Sequence, residues 1–317
     1  MNSSPGTIVI AVGGNALAPL GEQVTIHDQF HHTRQSLASV IRLAKEGWCI
    51  AIVHGNGPQV GNALERNELA RDRVEPLPLG VLVAATAGWI GYMIQQSLQN
   101  ALAEAGSDRD VLTVVTQTLV SEDDPGFKEP TKPIGNAFGR EDFVRLQKRG
   151  VPIGSDGAGR WRRLAASPEP SDVVEAAAVK QLVLSGKIVI AAGGGGPPVY
   201  RDRKGHWEGV DAVVDKDRVA AVLGCRLGAE RLLILTDVDG VYEGWGTESQ
   251  RHLPRLRPTE AEALLSGGAL GRGSMRPKVE AAVHFVRHGG GCAIIAHLEK
   301  GLEAIQGETG TIIAGED

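Results

Sequence analysis

Aromatic residues are scarce in this chain. Five Trp, three Tyr and five Phe make up 4% of its 317 residues, so stacking platforms of the kind that hold single-stranded nucleic acid are not expected. Positive charge is not in excess either: the formal net charge is −5, which offers no basic stripe to nucleic acid. No apolar run approaches the roughly 18 residues of a membrane span, so no membrane partner is expected. The first residues lack the charged segment and apolar core of a secretory signal. Cysteine is nearly absent. Cys49 and Cys292 sit in strand-like apolar runs and Cys225 in a helical pattern. Their expected state is the buried, reduced thiol of a cytoplasmic protein.

Several catalytic signatures are missing as well. There is no GxxxxGK[ST] phosphate loop and no GxSxG elbow. "GNGPQVG" (55–61) follows a strand and opens a helix, but it reads GxGxxxG. The acidic residue that a dinucleotide fingerprint needs at the end of a second strand falls instead in a helical pattern. His27 and His31 are spaced i, i+4, as are His284 and His288, but neither pair has a third ligand in view. A zinc site is not expected.

Glycine, by contrast, is abundant, with 42 residues. The chain alternates between short apolar runs and helical patterns. Strands are expected at 7–14, 48–55, 111–120, 187–196, 230–240 and 292–297, with a last hairpin partner at 310–315. Helices are expected at 27–47, 58–73, 81–105, 172–186, 214–228, 259–267 and 274–290. Continuous apolar strands alternating with helices predict an α/β fold, an open and mainly parallel sheet sandwiched by helices. The pattern breaks at 121–171, which is rich in Pro, Gly and charge with one short helix legible. A span this long without regular elements predicts a small protruding lid subdomain. The chain thus divides into 1–120, the lid at 121–171, and 172–317, with one sheet running through the outer two parts.

In open parallel sheets, ligands bind outside the carboxyl ends of the strands. Four glycine-bearing turns fall there: Gly13-Gly14-Asn15, Gly55-Asn56-Gly57, Gly193 to Gly196, and Asp237-Val238-Asp239-Gly240. Lacking Cβ, glycine lets main-chain N–H groups approach an anion, and a following helix N-terminus adds a favourable dipole. Lys216 in "VDKD" and Lys278 in "GSMRPKVEA" both lie at expected helix starts. A cation there opposes the helix dipole, an arrangement that makes sense if a polyanion docks between them. Lys132 in "EPTKPIG", and Arg160, Arg162 and Arg163 in "GRWRR", add cations from the lid. Glycine turns and lysines together suit phosphoryl transfer, which needs charge neutralised on equatorial and leaving oxygens.

Seven segments carry a resemblance to a known family: "AVGGNA", "VHGNGPQVGN", "FKEPTKPIG", "AAGGGGPPV", "AVVDKD", "LTDVDGVY" and "GSMRPKVEAA", spanning residues 11–282. Together they resemble the amino acid kinase superfamily and, within it, the carbamate kinases. The resemblance implies a reversible reaction in which ATP and carbamate give ADP and carbamoyl phosphate, with Mg²⁺ accompanying the nucleotide and no protein-held metal. It implies that Gly13, Gly14, Asn15, Gly55, Asn56 and Gly57 surround the transferred phosphoryl group and the substrate, in the N-terminal part. Lys132, Lys216 and Lys278 would be catalytic. Thr236, Asp237, Val238, Asp239, Tyr242, Met275 and Lys278 would lie around the nucleotide in the C-terminal part. Asp215, Asp217, Gly194 and Gly195 are further candidates. A homodimer and a cytoplasmic place are implied too. The stretches "SDGAGRWRR" (155–163) and "AASPEP" (165–170) depart from the family's "EDAGRGWR" and "VPSPKP", so no role passes to Asp156 or Arg160. Residues alone leave open another acceptor within the superfamily, or a nucleotide-binding regulator without turnover.

Overall fold

A computed structural model describes residues 6–13, 25–155, 159–268, 270 and 275–315. Its centre is an eight-stranded sheet in the order β15 (Arg255–Leu256), β17 (Thr311–Ala314), β16 (Cys292–His297), β12 (Arg231–Thr236), β1 (Thr7–Val12), β2 (Cys49–His54), β9 (Ile188–Ile190) and β3 (Val111–Thr113). The six strands from β16 to β3 are mutually parallel. Strand β17 runs antiparallel to β16, as the hairpin expectation required, and β15 follows β17.

Alternation along each strand sorts its side chains onto two faces. Val9, Ala11, Ala51, Val53, Leu232 and Ile234 face one core, covered by α6 (Ala176–Leu184), α7 (Lys216–Leu227), α8 (Pro258–Ser266) and α9 (Met275–Arg287). Ile8, Ile10, Ile50, Ile52, Leu233 and Leu235 face the other, covered by α2 (Ala38–Lys45), α4 (Leu79–Glu104) and α10 (Gly301–Ile305). With both faces dry, the strands read as unbroken apolar runs, and the helix-sheet-helix sandwich follows. No helix among the described residues is long and apolar enough to cross a membrane.

Three of the expected elements differ in detail, and so does the burial of the cysteines. The helix expected over 27–47 divides at buried Leu37 into α1 (Ile26–Ser36) and α2. A capping box between Thr25 and Asp28 starts α1. The strand expected over 111–120 ends in the main sheet at Thr113. It resumes as β4 (Thr118–Leu119) in a second sheet, ordered β11 (Trp207–Gly209), β10 (Pro198–Arg201), β4 and β8 (Asp172–Val173). Between them the chain bends because Thr116 and Thr118 turn their hydroxyls onto the loop after β9. The helix expected from 172 begins only at Ala176. Residues before it are tied to the β4 segment through Glu175, whose carboxylate accepts from the Gln117 N–H (2.7 Å) and side-chain amide (2.9 Å). Finally, Cys49, Cys225 and Cys292 are free but half-buried rather than buried. Cys49 and Cys292 open β2 and β16, at the sheet edge opposite the glycine turns.

The irregular span 121–171 holds more structure than one helix. Strands β5 (Lys132–Phe138), β7 (Trp161–Ala165) and β6 (Ile153–Ser155) form a separate antiparallel sheet with α5 (Arg140–Gln147). It packs on α3 (Gly57–Ala70), where Val60, Leu82, Val83, Ile134, Ala165 and Val213 make a small core of their own. A short hairpin of β13 (Val241–Glu243) and β14 (Arg251–Leu253) completes the architecture.

Candidate active site

Strands β12, β1, β2 and β9 are adjacent and parallel, so the turns that follow them share one edge of the sheet. Gly13, Gly55-Asn56-Gly57, Gly193 to Gly196 and Asp237 to Gly240 all lie there. Gly14 and Asn15 fall outside the described residues. The turn after β9 is the tightest. Ala192 (φ 50°), Gly194 (68°), Gly195 (84°) and Gly196 (74°) occupy left-handed conformations. Ala192 is the one non-glycine residue with positive φ among those described. Thr116 Oγ1 accepts from the Ala192 N–H (3.0 Å), and the Thr118 hydroxyl donates to the Gly195 carbonyl (2.6 Å). A Cβ on Gly194 would lie 2.2 Å from Asn56 Nδ2, and one on Gly195 2.3 Å from the Val214 carbonyl oxygen. Glycine is therefore required here by close approach as well as by φ. The loop is wedged between the end of β2 and the entry to α7.

The two lysine-bearing helices are packed side by side. Gly224 of α7 has so little clearance that a Cβ would come 2.8 Å from the Phe285 ring of α9. Lys216 opens α7 and Lys278 lies in the first turn of α9, so the two ammonium groups meet at the glycine edge. Asp217 stands between them: one carboxylate oxygen pairs with Lys216, and the other accepts from Lys278 Nζ at 3.2 Å. Asp215 caps α7, accepting from the N–H groups of Asp217 (2.9 Å) and Arg218 (3.4 Å), while its second oxygen pairs with Lys132 from β5. The three lysines and two aspartates thus form one chain of charges at the N-termini of two helices.

Burial and charge pull against each other in this cluster. Burial alone raises the Asp215 carboxyl, but Lys132, Lys216 and Lys278 outweigh it and hold the group well below the usual carboxylate range. Burial, assisted by the like charge of Lys278, lowers Lys216 despite its pairing with Asp217. Lys278 is also disfavoured by burial, yet Asp217, Asp215 and Asp237 raise it above the ordinary lysine value. Stranding either lysine by removing its partner would leave a buried charge unpaired, a loss of about 3–5 kcal/mol.

Lys132 is brought in by the small sheet. Gly61 of α3 and Gly135 of β5 touch main chain to main chain: a Cβ on Gly61 would sit 1.9 Å from Gly135 Cα. The third glycine of "GNGPQVG" therefore serves this contact. Asn136 also donates to Asn62 Oδ1 at 3.2 Å. Arg163 turns to Glu68 of α3 (3.6 Å), which also takes Arg71 and Arg149, so Arg163 braces the sheet.

Among the nucleotide-side candidates, Asp237 joins the lysine cluster through its charge on Lys278 and accepts from the Thr236 hydroxyl (2.9 Å). Asp239 and Tyr242 form a separate pair, the phenol donating at 2.7 Å. That bond lowers the Asp239 carboxyl and raises the Tyr242 phenol. Tyr242 lies between Trp245 (5.1 Å) and His252 (5.0 Å). Met275 opens α9 and packs on the core, and Val238 lies in the turn between Asp237 and Asp239. His284 and His288 stack on each other (4.0 Å). Among the described residues no group of three His, Cys, Asp or Glu side chains gathers that could hold a metal ion.

Four residues escaped the sequence reading. Thr86, which accepts from the Asn56 amide (2.8 Å), and Thr116 and Thr118 are brought in by tertiary packing from positions with no local signal. His54 was visible, as the residue before Gly55, but nothing in the pattern marked it.

The family model described as "Amino acid kinase family" matches residues 6–297. The carbamate kinase of Halobacterium salinarum is 45% identical over 311 residues, covering 98% of each chain. That of Pyrococcus horikoshii is 42% identical over 310 residues, covering 97% of this chain and 98% of its own. The structure of Giardia lamblia carbamate kinase bound to AMP-PNP superposes with a TM-score of 0.90 at 34% identity, covering 99% of both. With the fold, the glycine edge and the lysine cluster all accounted for along nearly its whole length, the chain belongs to the amino acid kinase family, on the carbamate kinase branch.

Proposed function

We propose that the protein catalyses reversible phosphoryl transfer between ATP and carbamate, giving ADP and carbamoyl phosphate. The convergence of Lys132, Lys216 and Lys278 at two helix N-termini beside the glycine turns carries this reading. Carbamate is already an anion at neutral pH, so it needs no general base to attack a γ-phosphorus. What the reaction asks of the protein is alignment of the two reactants and neutralisation of charge on the oxygens. The turns after β1 and β2 would hold the substrate and the phosphoryl group in flight, and the turn after β9 would support them from below. The hairpin residues Asp239 and Tyr242, with Thr236, Val238 and Met275, would line the nucleotide. Lys216 and Lys278 would exchange Asp217 for phosphate oxygens, and Lys132 would close from the small sheet, which acts as a lid.

Asp215 and Asp217 are committed to lysines, Asp237 acts on Lys278 through its charge, and among the described residues no three His, Cys, Asp or Glu side chains gather as metal ligands. The donor set does not fit a resident metal. In this reading Mg²⁺ arrives with the nucleotide as part of the substrate. The cytoplasm as compartment and a homodimer as assembly belong to the same reading, on the likeness to the carbamate kinases.

The test is ATP formation from carbamoyl phosphate and ADP, followed by a coupled assay. Turnover is expected. No turnover with carbamoyl phosphate, together with clear phosphorylation of an N-acylated amino acid, would overturn the assignment of the acceptor.

A further inference from the structure

One buried polar side chain behind the cradle has no task in phosphoryl transfer. His54 ends β2 and is fully buried. Its Nδ1 lies 3.0 Å from the Gly55 carbonyl oxygen, while its Nε2 makes no well-formed hydrogen bond, the Ala87 backbone being the other main-chain group that acts on the ring. A Cβ on Gly193 would come 2.5 Å from that Nε2 and 2.8 Å from the Ala87 methyl. The ring therefore fills the space between the end of β2, α4 and the turn after β9, directly beneath the edge where the glycine turns meet.

Resting on the reading of this edge as a phosphoryl cradle, we propose that His54 is a positioning residue that locks the Gly55–Asn56 peptide with its N–H turned towards the transferred phosphoryl group. A carbonyl only accepts, so in this assignment the one proton of the neutral ring sits on Nδ1, towards Gly55, rather than on Nε2, towards the Ala87 backbone. In a trans peptide the C=O and N–H point in opposite directions. With the Gly55 oxygen held on the buried ring, the Asn56 N–H faces away from it, and that N–H has no acceptor among the described residues. Glycine at 55 gives this peptide little resistance to rotation. A flip would put a carbonyl oxygen where an anion has to sit and would remove a donor. The Gly55 N–H is fixed on the Val12 carbonyl (2.9 Å), and the Asn56 side chain is fixed on Thr86 (2.8 Å). The Nδ1–H bond fixes the peptide between these two anchors.

The imidazole must be neutral to leave Nε2 bare. Burial, with Lys216 nearby, keeps it so.

Two measurements test the assignment. In the first, His54→Asn and His54→Phe are assayed for ATP formation from carbamoyl phosphate and ADP. Asparagine keeps an N–H near the Nδ1 position but leaves a void, whereas phenylalanine fills the space and has no donor. His54→Phe should lose about tenfold to a hundredfold in kcat with KM for ADP within about twofold, as expected for an interaction felt mainly in the transition state. His54→Asn should recover most of the rate. A His54→Phe enzyme as fast as the wild type, or a His54→Asn enzyme slower than His54→Phe, would show that the ring only fills space. The second measurement does not depend on how variants fold: ¹⁵N NMR of the intact wild-type protein reads the tautomer directly. A proton on Nδ1 is required, and a proton on Nε2 overturns the proposal. Absence of wild-type turnover with carbamoyl phosphate would count against the proposed reaction, while the tautomer would still decide the role of His54.

Discussion

Acid should loosen this fold through His54 before it reaches the carboxylates. Burial is the main cause that lowers its imidazole from 6.5 to about 4, with Lys216 adding to it. Above the unfolded value, both states are neutral and the group contributes no pH dependence. As pH falls below 6.5, the unfolded chain takes up a proton that the folded chain refuses until about 4. Proton uptake by the unfolded state then favours unfolding, so stability declines with falling pH across this window. At 1.36 kcal/mol per pH unit, the loss between about pH 7.5 and about pH 4.5 is roughly 2.5 kcal/mol. Asp215, whose folded carboxyl is held low, acts in the same direction but only below the ordinary carboxylate value of 3.8. Urea unfolding at a series of pH values, for the wild type and for His54→Asn, isolates the term, because the difference between the two curves removes the other groups. The wild type should lose about 2.5 kcal/mol relative to the variant over that range. Curves that run parallel would mean that His54 is not a buried neutral base and would refute the reasoning.

Two further outcomes follow from the cluster and from the contact between α3 and the small sheet. Lys216→Ala and Lys278→Ala should each lower kcat more than about tenfold, at least roughly 1.4 kcal/mol of transition-state stabilisation, in the coupled assay; near-wild-type rates in both would remove the charge clamp. Gly61→Ala places a methyl 1.9 Å from Gly135 Cα, and such overpacking should cost about 1–3 kcal/mol in a urea titration, whereas an unchanged midpoint would show that the small sheet yields freely.

The sheet, its direction and the clustering of four glycine turns were legible because parallel strands buried on both faces leave unbroken apolar runs such as "TIVIAV" and "CIAIVH". The two helix-start lysines were legible because they violate the dipole preference. What was not legible depended on partners far away in sequence. Residues 111–120 read as one strand because Val and Thr dominate them, yet Thr116 and Thr118 are drawn off the sheet by a loop some 76 residues on. The strands of 132–165 are short and carry Pro, Gly and Arg, so they show no clear alternation. The pairing of Lys132 with Asp215 spans 83 residues, and no local pattern announces it. Gly61 looked like a misplaced fingerprint glycine until its counterpart, Gly135, was seen against it.

That glycine pair also sets a measurement. Lys132 lies three residues before Gly135 on the same strand, about 10 Å along it. Gly135 is seated on α3 by main-chain contact, with no side chain between to stretch or compress. The strand then acts as a ruler with its zero mark at Gly61: sliding β5 along α3 displaces the ammonium group at the other end by the same amount. The reach of the lysine is in this way set by two hydrogens, because a Cβ at either position would push the strand off the helix.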